Sequence, residues 1–150
     1  MKSHISKLSL FLVVFLLFGS KLHAQEKLPV ESINQEWILF KEEKGLKFYI
    51  RKENIVSNSG NPEAEYAIVK LENTLNKQLT ASYSLAVSYN MGCTGCGSSE
   101  YAKTLTIPAK SSLEGNLSDG NSPLVMLLIN HKLKNGWIPL YITTENLVIK

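Results

Sequence analysis

Along Leu79–Tyr89, apolar or aromatic residues alternate with small, mostly polar ones. Leu79, Ala81, Tyr83, Leu85, Val87 and Tyr89 fall on one side; Thr80, Ser82, Ser84, Ala86 and Ser88 fall on the other. Successive strand side chains point to opposite faces, so this period of two predicts a strand with one buried and one wet face. The same pattern recurs on both sides of it. Leu46, Phe48 and Ile50 alternate with Lys47, Tyr49 and Arg51, preceded by the apolar run Trp37–Phe40 and the turn Glu42-Glu43-Lys44-Gly45. This is a hairpin signature. Asn58-Ser59-Gly60-Asn61-Pro62 marks a loop, and a third strand is expected over Ala64–Glu72.

Asn73–Gln78 turns the chain back into Leu79–Tyr89, and Tyr101–Ile107 is the next strand, ended by Pro108. Residues 108–123 are rich in Ser, Gly and Asn, with Leu113 and Leu117 expected to dip inward. Leu124–Ile129 is a continuous apolar run between Pro123 and Asn130-His131. Its length and flanking breakers favour a strand buried on both faces over a short helix. Gly136 and Pro139 break the region after it, and Leu147–Ile149 forms a last strand. Seven to eight strands at a spacing of about ten residues, with no amphipathic helix, predict an all-β fold: a two-layer antiparallel β-sandwich.

Residues 1–24 read as a signal peptide. Lys2, His4 and Lys7 precede the apolar stretch Leu8–Phe18, which is short for a bilayer span, and Leu22-His23-Ala24 offers a cleavage point before Gln25. Residues 25–150 then form a single domain. Removing Lys2, Lys7 and Lys21 with the leader takes the 16 basic residues to 13, equal to the 13 acidic ones, so the formal charge falls from +3 to zero. A neutral chain whose one arginine is Arg51 has no electrostatic footprint for nucleic acid or anionic membrane. The expected location is the periplasm or the cell exterior, with no membrane insertion after cleavage.

The two cysteines stand in Met91-Gly92-Cys93-Thr94-Gly95-Cys96, directly after the alternating strand. In an exported chain the expected state is a local Cys93–Cys96 disulfide that fixes the shape of its loop. Two other readings compete. A strand followed by C-x-x-C resembles the thioredoxin arrangement, but Gly97–Lys103 leaves room for at most two helical turns before Thr104-Leu105-Thr106-Ile107. Met91–Cys96 also resembles the M-x-C-x-x-C motif of heavy-metal-associated, copper-chaperone domains, which implies Cys93 and Cys96 as ligands for copper or zinc. Zinc asks for four ligands, and His131 is the one histidine left after the leader. The c-type haem pattern fails because Gly97 occupies the histidine position.

No other constellation carries chemistry. Asp119 and His131 lack a nucleophile motif, the glutamates sit in turns or on polar faces, and no calcium loop is present. Asn116-Leu117-Ser118 matches a glycosylation acceptor. Tyr49, Tyr66 and Tyr101 are candidates for an outer-face binding patch, though strand-face tyrosines ordinarily serve cross-strand packing.

Trp37 followed by Glu43–Tyr49, then Val69–Thr74, the alternating strand, the cysteine loop and Leu105–Pro108 resembles small exported immunoglobulin-like β-sandwich proteins of Gram-negative, Bacteroidetes-type bacteria. That resemblance implies an immunoglobulin-like plan and brings no catalytic residues or cofactor with it. The expectation is therefore a non-catalytic secreted or periplasmic binding or structural module with a protein or glycan partner. The alternative is soft-metal binding or thiol redox work through Cys93 and Cys96.

Overall fold

The computed structural model describes residues 27–119, 122–133 and 136–150; the signal segment predicted over residues 1–24 lies outside them. Among the described residues there are ten strands and no α-helix: β1 (Lys27–Pro29), β2 (Ile38–Glu43), β3 (Leu46–Val56), β4 (Pro62–Asn73), β5 (Leu79–Tyr89), β6 (Gly92–Thr94), β7 (Ala102–Ile107), β8 (Ser112–Glu114), β9 (Val125–Asn130) and β10 (Pro139–Ile149). The expected count of seven to eight is exceeded because β1, β6 and β8 are three-residue strands, too short to show a period.

The strands form two antiparallel five-stranded sheets, a β-sandwich. One sheet runs β1-β10-β5, with β6 and β7 sharing the far side of β5; the other runs β2-β3-β4, with β8 and β9 sharing the far side of β4. The hairpin β2–β3 closes over Lys44-Gly45, where both residues take positive φ (48° and 80°). Gly45 fits because a β-carbon there would press on the Leu75 side chain.

The two inner faces meet as the period of two requires. Phe48, Ile50, Val69 and Leu71 come from one sheet, and Leu79, Ala81, Tyr83, Val87 and Ile142 from the other, each buried. The Phe48 and Tyr83 rings meet edge to face, with centroids 5.3 Å apart at 89°. The Tyr83 hydroxyl is buried here with no hydrogen-bond partner, and burial drives its pKa far above the ordinary value of 10.0.

Asn73, at the end of β4, is 1 % exposed and ties the corner together. Its Nδ2 lies 2.8 Å from the Lys77 carbonyl, 3.2 Å from that of Ile107 and 2.9 Å from that of Pro108. Its Oδ1 accepts from the Leu75 N–H at 2.9 Å. The β4–β5 turn is thereby fastened to the end of β7.

The last strand departs most from expectation. Pro139 begins β10 instead of breaking the region, and β10 runs eleven residues beside β5. Ile142, Thr143 and Thr144 are buried at its centre. Two threonines read as surface by type, yet β-branched residues suit a strand flanked on both sides.

Candidate functional site: an open flank beside β9

β7 and β9 close their sheets on the same flank, and there the layers part. Between them lies a cleft of about 350 Å³ walled by Leu85 and Tyr89 of β5, Tyr101 and Lys103 beside and on β7, and Val125 and Met126 of β9. Leu85 and Tyr89 belong to the inward series of β5, yet they are only half-buried. Both pack partly against the core, and the cleft opens beside them. The expectation that Leu124–Ile129 is buried on both faces is corrected in the same way. β9 pairs on one side with β4, and among the described residues no strand pairs with its other side. Its apolar run faces the core through Leu128, 2 % exposed, and the open flank through Leu127, 42 % exposed.

Tyr89 divides this cleft from a smaller one of about 160 Å³ lined by Leu127, Ile129, Leu133 and Trp137. Its hydroxyl donates to the Leu128 carbonyl at 3.2 Å, crossing from one sheet to the other. Its ring leans on Trp137 with centroids 5.2 Å apart. Burial raises the Tyr89 pKa, and a hydrogen bond with Thr94 partly offsets that. Asn90 and Ile138 exchange hydrogen bonds at 2.9 and 3.0 Å, which fixes the Gly136–Ile138 segment against the end of β5. Met91, Leu127, Leu133, Trp137 and Ile138 are all exposed large apolar residues of this end, and Tyr101 joins them across the first cleft. Leu127, Leu133 and Trp137 line one cleft together, and an exposed apolar patch of this kind on a folded chain marks an interaction surface.

The strand edges differ in how they are protected. β1, β6 and β8 are three residues long. β2 carries Lys41, Glu42 and Glu43 and a register shift between Leu39 and Lys41. The uncovered part of β10 carries Glu145, Asn146 in positive φ and a register shift. β7 presents Lys103 toward the cleft. Short length, charge, bulges and inward lysines each discourage pairing with another chain. β9, Val-Met-Leu-Leu-Ile-Asn, has a register shift at Leu128 but no charge and no proline.

The sulfur loop lies across the other face of β5. Cys93 is in β6, and Cys93 and Cys96 are at disulfide distance with Cα atoms 5.8 Å apart, as expected. Gly95 is buried beneath this loop at φ +85°, and a β-carbon there would stand 2.7 Å from the Leu85 carbonyl oxygen. The Gly97 N–H donates to the Glu145 carboxylate at 2.7 Å, so the loop reaches over β5 to β10. Ser84 and Ala86, on the face expected to be wet, are fully buried. The Ser84 hydroxyl there has no hydrogen-bond partner. No group of three potential metal ligands exists among the described residues. His131, the third ligand offered by the sequence, lies 3.1 Å from the Glu65 carboxylate, which also pairs with Lys52 at 3.3 Å.

The tyrosines of the predicted patch are not brought together. Tyr49 and Tyr66 stand on the outer side of β3–β4, opposite Lys70 and Glu53 in the ladder, whereas Tyr101 borders the cleft. Trp37 and Tyr49 hold the Lys70 ammonium at 4.7 and 4.6 Å from their ring centres, and Arg51 stacks on Trp37 at 5.1 Å. The chain's own cations therefore occupy this aromatic pair. Burial and the neighbouring Glu72 raise the Tyr49 pKa. Asn116 accepts from the Ser118 N–H and hydroxyl in an exposed turn.

Trp137, Leu133 and Ile138 carry no signal in the sequence, lying in a region that reads as broken. The usable signal is the lack of charge in β9, since the other long margins, β2, β7 and the open part of β10, each carry charged residues. Comparison of the chain with protein-family models, curated proteins and solved structures finds no match.

Proposed function

We propose that this chain is a non-catalytic, exported β-sandwich module, immunoglobulin-like in general plan, whose open flank captures an extended apolar polypeptide segment. The observation that carries this is the coincidence of an uncharged strand edge, β9, with a cleft immediately beside it. A segment laid along an open edge gains main-chain hydrogen bonds, while its alternate side chains enter the neighbouring cleft. Lys103 at the mouth of the cleft favours an acidic residue in the captured segment. The disulfide supports export, because such bridges persist in oxidising compartments.

The test is a titration of ¹⁵N-labelled protein with an eight-residue peptide of alternating valine and threonine that ends in glutamate. The amides of β7 and β9 should shift together and saturably, and Lys103→Glu should weaken the effect. Shifts scattered over the surface, or none at millimolar peptide in protein that sediments as a monomer, would refute strand capture.

A further inference from the structure

We infer that the strand this flank takes up is β9 of a second copy: the two β9 strands pair antiparallel about a two-fold axis at Leu127, joining two five-stranded sheets into one. The inference rests on strand capture at the flank and names the partner. A second copy brings the same unpaired edge, so a two-fold pairing satisfies both at once. Pairing β9 with any other edge of a second copy would leave one β9 open and would propagate. Those other edges are also the ones that carry charges or only three residues.

The register follows from the symmetry. Leu127 faces its own counterpart across the axis, and its neighbours in β9, Met126 and Leu128, are apolar too. No like charges meet. Glu63 and Glu65, which flank the C-terminal end of β9, are already paired with Lys132, Lys52 and His131. Lys103, at the other end, comes to the end of the second copy that holds Glu63 and Glu65. The chain from Gln25 has no formal net charge, so the two copies do not repel at long range.

The exposed area is of the right size. Met91, Tyr101, Leu127, Leu133, Trp137 and Ile138 are each 42–59 % exposed. Together they leave roughly 600 Å² of surface per copy, before the backbone edge of β9 is added, against about 800 Å² per partner in a standard stable interface. In the antiparallel arrangement Leu133 and Trp137 of one copy come over Tyr101 of the other.

Sedimentation velocity of the purified protein tests this, over about 1–100 μM, a range in which interfaces of this size associate. The wild type should sediment at twice the chain mass. Leu127→Lys and Leu127→Glu each place two like charges face to face on the axis and should give monomers of unchanged circular dichroism, with association weakened at least about 100-fold. An equimolar mixture of the two variants should recover the dimer, which a mere folding defect would not do. A wild type that stays monomeric across the range overturns the inference, as does a dimer that Leu127→Lys leaves intact. A monomeric wild type whose β7 and β9 amides still respond to the peptide rejects the second copy and leaves strand capture standing. If neither binds, both readings fall.

Discussion

Replacing Asn73 with alanine removes the amide that fastens the β4–β5 turn to the end of β7. Two amide hydrogens serve three carbonyls there, and the side-chain oxygen takes the Leu75 N–H, so about three hydrogen bonds are lost. Each is worth about 1 kcal/mol net. The Lys77 and Pro108 carbonyls are partly buried and can turn to water, but the Ile107 carbonyl is buried and is left without its donor. That adds about 1–3 kcal/mol of desolvation cost for one stranded acceptor, so the total is about 4–6 kcal/mol. In urea the midpoint should fall with an unchanged slope, since the area exposed on unfolding is the same. Asn73→Asp separates the donor role from shape. It keeps the acceptor for Leu75 but turns a carboxylate oxygen toward three carbonyls, so it should be at least as damaging as alanine at neutral pH. Burial and those carbonyls raise the folded-state pKa of the introduced carboxyl. The folded state then holds a proton that the unfolded state has lost, so the defect should shrink as pH falls toward the ordinary carboxylate range and be gone below it. Asn90→Ala, which removes two exposed bonds at the far end, should cost about 1 kcal/mol. An Asn73→Ala variant within about 0.5 kcal/mol of wild type would refute the reasoning, because it would mean that solvent replaces the amide inside the corner.

Tyr83→Phe removes a buried hydroxyl that has no partner, so stability should stay level or rise by up to about 1 kcal/mol in urea melts. It should also flatten the alkaline limb. The unfolded phenol ionises near 10.0 while the folded one holds its proton, so wild-type stability is whole below pH 10 and falls by about 1.4 kcal/mol per pH unit above it. Gly95→Ala forces a side chain toward the Leu85 carbonyl from a positive-φ position and should cost about 2 kcal/mol or more, with amide exchange quickening at Ser84–Ala86. Cys93→Ser with Cys96→Ser should leave the sandwich folded and cost at most about 2 kcal/mol, since the bridge closes only a four-residue loop. Global unfolding by circular dichroism would contradict that. If the soft-metal reading held instead, thiol titration and metal analysis would return reduced sulfurs with near-stoichiometric copper or zinc.

The reach of the sequence tracks how local each constraint is. The strand Leu79–Tyr89 has the same bounds in the pattern and in the structure, because period two over eleven residues needs no outside information. The β2–β3 hairpin is equally legible through Lys44-Gly45. Burial along β5 is half legible. Leu79, Ala81, Tyr83 and Val87 are inside as their side of the strand predicts, but Ser84 and Ala86 are inside as well. A loop from residues 93–97 covers them, and no period announces where a loop will lie. β10 is hidden for a related reason: Thr143 and Thr144 are polar by type, and only their place beside Ala86 and Leu85 of β5 makes them core. The cysteine pair is plain in the sequence and its bridge is expected, yet its place over β5 rather than at the rim depends on Gly95 and on Glu145, far away along the chain. Asn73 reads as part of a turn, since its partners Ile107 and Pro108 lie more than thirty residues away.

The open flank follows from a conflict between two local rules. An apolar run bounded by breakers reads as a central strand, because burial on both faces is the ordinary reason for such a run. In this fold β9 lies at an edge, where the ordinary composition is mixed with charge. Both rules hold only if the second apolar face serves something other than the core of this chain. Elsewhere among the described residues the fold follows the edge rule closely, with lysines, glutamates or three-residue strands at the other margins. A protein that guards its other edges and leaves one apolar has there a strand whose local sequence disagrees with its isolated structure. Such disagreements concentrate at functional positions. A polypeptide edge laid against β9 would remove the conflict, because the strand would then lie inside a sheet, as its composition requires.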